Sequence, residues 1–170
     1  MRYVFKTLVR MTAQLFGWTE FTHVRTFHNK FRLIDNHRPV HLTQRKLRER
    51  VEFLQEELNE FNASCATQDL EGQADALIDL VYVAKGTAVM LGLPWDDLWD
   101  DVHRANMEKI RGVSHRGHAV DCIKPLTWRP PMTATILRAH GYNPRAFKNA
   151  AGVCREEWCH DDMQRPSHNL

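Results

Sequence analysis

QADALIDLVYVAKGTAVMLG, residues 73–92, is the stretch whose reading decides the fold. Ala, Leu, Ile and Val occupy most of it, and they fall on most of the circumference of a helix rather than on one stripe, the pattern of a buried helix. Asp69 can cap its start, and Gly92 with Pro94 just beyond can end it, so the spacing predicts a helix over about 70–91. Asp75 and Asp79 sit inside this run, one turn apart. Asp is a poor helix former, and the helix dipole fades within the first turn, so it does not help Asp79. A buried, unpaired carboxylate is costly even after the surroundings relax. Something must neutralise the pair.

Upstream, Thr43 is placed to cap a long helix running through Leu47, Val51, Leu54, Leu58 and Phe61 and dissolving near NASCATQ (62–68). Its middle reads LQEELNEF (54–61), which sets Glu57 and Glu60 three apart and Glu56 and Glu60 four apart, on one face. Further upstream, WTEFTHVRTFHNKFRL (18–33) carries Phe21, Val24, Phe27 and Phe31 at spacings of three and four, an amphipathic helix. Downstream, a helix over 94–110 carries Leu98, Val102 and Met107. RGVSHRGHAVDCIKPLTWRPP (111–131), rich in Gly and Pro, reads as loop, and a short helix follows over 133–140. No repeat and no strand alternation stand out. Four helices with short connections predict an all-α chain of the four-helix-bundle type. The organisation expected is a domain over 18–132, an N-terminal extension over 1–17, and an irregular accessory C-terminal tail over 133–170.

The charge is unevenly distributed. Residues 1–50 hold 11 Lys and Arg against 3 Asp and Glu, residues 51–102 hold 1 against 12, and residues 103–170 hold 11 against 6. Basic flanks alone would suggest nucleic acid. The acidic centre argues against a stable nucleic-acid complex unless cations intervene. Metal and phosphate together account for both signs. No stretch reaches a membrane span, because Asp75, Asp79 and Lys85 break the best one. MRYVFKTLVRMTAQLFGW (1–18) reads as native chain rather than a signal peptide. Cys65, Cys122, Cys154 and Cys159 form no CxxC pair, and CREEWCH (154–160) lacks the ligands to complete a zinc site, so the expectation is free thiols in a reducing cytoplasm.

Lys85 is the one Lys or Arg within 51–102. It cannot balance Glu56, Glu57, Glu60, Asp75 and Asp79. One way out is ion pairs from Arg residues of the basic flanks. The other is a divalent cation: Mg²⁺ takes carboxylate oxygens, keeps some waters and bridges substrate phosphates. A ferritin-like di-iron centre would need two Glu-x-x-His motifs, and only Asp100-x-x-His103 comes near that pattern.

EELNEF (56–61), then ADALIDLVYVAKGTAVMLGLPWDDLWDDVHRANMEKI (74–110), with FHNKF upstream and RGHAVDCIKPLTWRPP downstream, resembles the MazG-like all-α nucleoside triphosphate pyrophosphohydrolases. The likeness is greatest to their phage and bacterial, phosphoribosyl-ATP pyrophosphohydrolase-like branch, and covers about residues 20–132. The resemblance implies hydrolysis of an NTP or dNTP between the α and β phosphates, giving a monophosphate and pyrophosphate and shaping a nucleotide pool. It implies Mg²⁺, with Mn²⁺ as a substitute, a homodimer or homotetramer, and no membrane. The location expected is cytoplasmic, the host cytoplasm if the gene is phage-borne. The family pattern is Glu-x-x-Glu on one helix and Glu-x-x-Asp on the next. Glu57 and Glu60 match the first, and Asp79 matches the second. Ala76 stands where the second Glu belongs, and Asp75 is the nearest substitute, with Glu71 as the other acid available. Asn106 and Lys109 match the family's phosphate-handling pair, with Arg104 and Arg111 near enough to assist. Glu56 or the ligand Glu57 would accept the proton of the attacking water, and Lys109 would neutralise the leaving charge. Base selection must come from elsewhere, and the first helix (Phe27, His28, Phe31) is the candidate, with ordinary core packing the competing and favoured reading of Phe27 and Phe31 from their helical spacing. Phosphoribosyl-ATP is the alternative substrate, and a non-catalytic helical nucleic-acid-binding or interaction module is the reading from a different class.

Overall fold

The structure is a computed structural model, and it describes residues 19–112 and 121–144. Among the described residues the chain is all-α apart from one small hairpin. The elements run α1 (Glu20–Lys30), α2 (Gln44–Ala66), α3 (Leu70–Met90), α4 (Trp95–Met107), β1 (Ile110–Gly112), β2 (Asp121–Ile123) and α5 (Thr133–Ala139). The extension over 1–17, His115, His118, Cys154 and Cys159 lie outside the described residues. Cys65 and Cys122 are exposed free thiols. Among the described residues no helix is long and apolar enough to cross a membrane.

Local chemistry sets the helix ends. Thr43 Oγ1 accepts from the Lys46 N–H at 3.2 Å, and Asp69 Oδ1 accepts from the Gly72 N–H at 3.1 Å, the two caps that the sequence places there. A third cap, Thr19, starts α1. The C-terminal carbonyls of α3 are taken up by the loop after α1. The Asn36 N–H donates to Val89 O, Asn36 Nδ2 to Met90 O at 2.6 Å, and the Val40 N–H to Leu91 O at 3.0 Å. Gly92 then turns the chain with φ +65°, so close to this loop that a Cβ would sit 2.0 Å from the Arg38 carbonyl oxygen. Only glycine meets both demands.

The core lies where α1 crosses the C-terminal half of α3. Phe21, Val24, Ala88 and Val89 are buried together, with Leu93 and Trp95 against them. Phe21 stacks on Trp95 at 5.5 Å between centroids. Lys85 is buried beside this stack, its Nζ 3.5 Å from Glu20 Oε2 and over the Trp95 ring. α2 and α3 are the most closely packed pair of elements. Gly72 lets them approach at the hairpin end, where a Cβ would lie 2.5 Å from Ser64 Oγ. Arg50 on α2 donates to Val83 O at 2.9 Å and to Thr87 Oγ1 at 3.0 Å.

Three expectations are corrected. α3 is not buried along its whole length: Asp75 and Asp79 are exposed, as are Leu70 (75%), Leu77, Ile78 (67%) and Val81. The reason is reach, because α1 spans only 11 residues and covers the C-terminal half of the apolar face. The stretch read as loop over 111–131 also contains strand. β1 and β2 pair antiparallel, with Ile110 opposite Ile123 and Gly112 opposite Asp121. The predicted helix over 94–110 ends earlier, at Met107, because the chain turns into β1.

Candidate active site

α2 and α3 carry the five carboxylates on adjoining faces. Glu57 is half-buried, whereas Glu56, Glu60, Asp75 and Asp79 are exposed. The Glu57 carboxyl is pushed above the ordinary carboxylate range. Loss of water around it is the largest cause, followed by the charges of Glu60, Asp79, Glu56 and Asp75. Glu57 thus feels two neighbours from its own helix and two from the facing one. The acids that the sequence singles out thus lie on two neighbouring helices, within electrostatic range of Glu57. Glu71 is not among the charges that act on Glu57. It lies with Ala74, Asp75 and Ile78 along an open groove on the outer side of α3.

No cation of the described residues balances these acids. None of the five is within ion-pair distance of a Lys or Arg there. Lys85 turns to Glu20, and Arg50 to the α3 backbone and Thr87. Among the described residues, ion pairs from the basic flanks, the alternative raised by the sequence, are therefore not made. The side chains stand apart, and among the described residues no three His, Cys, Asp or Glu converge closely enough to hold a metal ion. Carboxylates that repel one another splay in this way. All five offer the hard oxygen donors suited to Mg²⁺ or Mn²⁺, on a solvent-open face where the side chains can turn.

An aromatic cluster lies on the same hairpin face, beyond the acids. Tyr82 follows Asp79 by three residues, which sets the two on one side of α3. Its ring meets Phe27 edge-on at 5.6 Å, and Phe27 packs on Phe31 at 4.7 Å. Phe31 is half-exposed. His28 is not at this surface. It is 4% exposed, its Nδ1 bonds Ile34 O at 2.7 Å, and Gly86 lies against Nε2. It fastens the end of α1, and Tyr82 is the aromatic that the sequence reading missed.

Asn106 and Lys109 come together at the end of α4, where Lys109 Nζ donates to Asn106 Oδ1 at 2.8 Å. α4 packs chiefly on α5, so this pair stands on a different pair of elements from the carboxylates. Arg104 is already engaged. It donates to Asp101 Oδ1 at 2.8 Å, to Glu108 Oε1 at 2.8 Å and to Pro130 O. The same two acids grip the returning chain: Glu108 Oε2 accepts from the Arg129 N–H, and Asp101 Oδ2 from the Met132 N–H. Trp128 Nε1 donates to Ala105 O at 2.7 Å. His140 bonds Asp97, and Tyr142 bonds His41. The start of the C-terminal tail is thus clasped to α4 and to the loop before α2.

The clasp is sensitive to acid. The Met132 N–H and then Arg104 hold the Asp101 carboxyl below its usual range, and the Arg129 N–H and then Arg104 do the same for Glu108. A lowered carboxylate contributes stability that is present above its unfolded value and lost as pH falls through its folded value. Wild type should therefore lose thermal stability in that acid window more steeply than Asp101→Asn. Parallel melting curves for the two proteins across the window would contradict the assignment.

Residues 24–106 match the phosphoribosyl-ATP pyrophosphohydrolase family, part of the MazG-like all-α superfamily. No curated protein matches the chain.

Proposed function

From the membership of residues 24–106 in the phosphoribosyl-ATP pyrophosphohydrolase family, we propose that the protein hydrolyses a nucleoside triphosphate to its monophosphate and pyrophosphate with the carboxylates of α2 and α3. The family acts on acid anhydrides, and pyrophosphohydrolysis of a nucleotide follows from membership in it. The general NTP or dNTP substrate is the finer part of this reading. The observation that carries it is the Glu57 carboxyl, pushed up by loss of water and then by carboxylates of both helices, and met by no Lys or Arg among the described residues.

Glu57, Glu60, Asp75 and Asp79 would hold the metal. When bound, Mg²⁺ supplies positive charge to the phosphate oxygens and acidifies water. Glu57, or Glu56 beside it, takes the proton from the attacking water, a task that a raised carboxyl suits. Asn106 and Lys109 hold the phosphate chain, and Lys109 offsets charge on the leaving pyrophosphate. Arg104 reaches phosphate only by giving up Asp101 or Glu108, so its first role is to hold the clasp. The base stacks on Phe31 and Tyr82, whose rings accept any base by their faces. His28 acts there only by seating α1.

The test is a panel of NTPs, dNTPs and phosphoribosyl-ATP with Mg²⁺, products separated by chromatography. Monophosphate and pyrophosphate from one or more triphosphates support the reading. Turnover of phosphoribosyl-ATP alone would replace the substrate, and diphosphate with orthophosphate would overturn the reaction.

The same reading includes a homodimer or homotetramer, whose dimer contact has a candidate face. Leu70, Leu77, Ile78 and Val81 form an exposed apolar stripe beside the acids, the kind of face that a second copy covers. Ile78→Lys is expected to shift sedimentation at micromolar concentration from dimer to monomer. A wild-type monomer would contradict this.

A further inference from the structure

The hairpin β1–β2 joins two lysines that lie far apart in the sequence. Ile110 pairs with Ile123, and the antiparallel register continued by one step sets Lys109 opposite Lys124. Side chains so placed have Cβ atoms about 4.5–5.5 Å apart, and like charges there destabilise. Neither ammonium has a carboxylate partner among the described residues. The nearby acids are already taken, Asp101 and Glu108 by Arg104 and by the N–H groups of Met132 and Arg129. Each lysine is instead held by a neutral group. Lys109 Nζ donates to Asn106 Oδ1 at 2.8 Å, and Lys124 Nζ lies 4.1 Å from the centre of the Trp128 ring. That ring is itself pinned, through Nε1, to the carbonyl of Ala105, the residue before Asn106. Two lysines without a carboxylate partner among the described residues thus hold facing positions at the base of the hairpin, Lys109 against an amide and Lys124 exposed over an indole ring. An anion of more than one charge placed between them would accept charge-assisted hydrogen bonds from both ammonium groups and from the amide.

We propose that Lys124, oriented by Trp128, forms with Lys109 and Asn106 a clamp for the diphosphate end of the substrate and for the pyrophosphate product. The clamp deepens the reading above, on which the phosphate role of Asn106 and Lys109 rests. It adds a residue outside the matched family segment. Lys124 grips the ligand, and Trp128 is a positioning residue that acts through Lys124 and the Ala105 carbonyl.

The test uses the full chain and inorganic pyrophosphate, titrated calorimetrically in metal-free buffer at low ionic strength. Wild type is expected to bind saturably. Lys124→Gln should weaken affinity at least about tenfold, and Lys124→Arg should keep it within about threefold. Trp128→Phe keeps the ring and removes the indole N–H. It should weaken pyrophosphate binding by about threefold or more without changing the amide-exchange protection of the α2–α3 hairpin. Lys46→Gln, on α2 and paired with Glu49, is the control for net charge and should bind as wild type. Unchanged affinity in Lys124→Gln, equal weakening in Lys46→Gln, or no saturable binding to wild type would each overturn the clamp. If pyrophosphate binds as described and no nucleotide is hydrolysed, the hydrolytic reading falls and the clamp stands. Hydrolysis with unaltered pyrophosphate affinity in Lys124→Gln removes the clamp alone.

Discussion

Asp79→Asn is expected to lower turnover at least about a thousandfold, near 4 kcal/mol of transition-state stabilisation, in a protein that folds as well as the wild type or better. Asp79 is the facing-helix charge that most raises the Glu57 carboxyl. Its removal takes a metal-ligating oxygen from the proposed site and at the same time relieves repulsion across the hairpin. A carboxyl raised in the fold contributes stability that is present below its unfolded value and lost as pH rises through its folded value. Asp79→Asn should therefore lose less stability over that window than wild type. Mg²⁺, which raises the melting temperature of whatever state binds it, should raise that of the variant less. Glu60→Gln is expected to act in the same direction. Calorimetric melts with and without Mg²⁺, beside steady-state turnover, check all of this. Near-normal turnover in both variants would remove the carboxylates from the reaction.

Asp75→Asn is expected to cost at least about a hundredfold in turnover and Glu71→Gln less than about tenfold. The family pattern wants a carboxylate at the place of Ala76, which is buried and could not present one to solvent without moving the helix. Asp75 is exposed beside it, four residues before Asp79, and positions three and four apart on a helix are both neighbours. Glu71 lies a further turn away, about 12 Å from Asp79 along the axis at roughly 1.5 Å per residue. Asp75 acts on the Glu57 carboxyl and Glu71 does not appear among the charges that do. Glu71 also sits in the first turn of α3, where its charge suits the helix N-terminus without any ligand. Turnover of both variants at saturating Mg²⁺ decides between them. A dead Glu71 variant beside an active Asp75 variant would exchange the two roles.

The helix ends were legible because they are local chemistry. Thr43 and Asp69 cap α2 and α3, and Gly92 ends α3, each through contacts within a few residues or through a backbone angle open to glycine. The acidic faces were legible for the same reason, since helical spacing alone puts Glu57 with Glu60 and Asp75 with Asp79. Burial was not legible. An apolar run says that a face wants cover, and not whether the same chain supplies it; α1 covers Val89 and Ala88 and stops short of Ile78 and Leu77. Tyr82 was passed over because it sits in that run and reads as core, and it becomes notable only once Phe27 is seen against it. His28 shows the opposite error, a polar residue read as functional that seats a helix end. β1 and β2 have three residues each, too few for alternation to register, and their pairing depends on contacts across the intervening segment. Arg104 carried a visible hint, with Asp101 three before it and Glu108 four after it at ion-pair spacing. The Met132 and Arg129 N–H groups that share those acids come from far along the chain.

The central claim is that water attacks the α-phosphorus at the α2–α3 carboxylates. Hydrolysis in ¹⁸O-labelled water, with the products resolved by mass spectrometry, tests it most directly. The account predicts one labelled oxygen in the nucleoside monophosphate, unlabelled pyrophosphate, and loss of both products in Asp79→Asn. Label in pyrophosphate or orthophosphate, or undiminished labelling in Asp79→Asn, would contradict it.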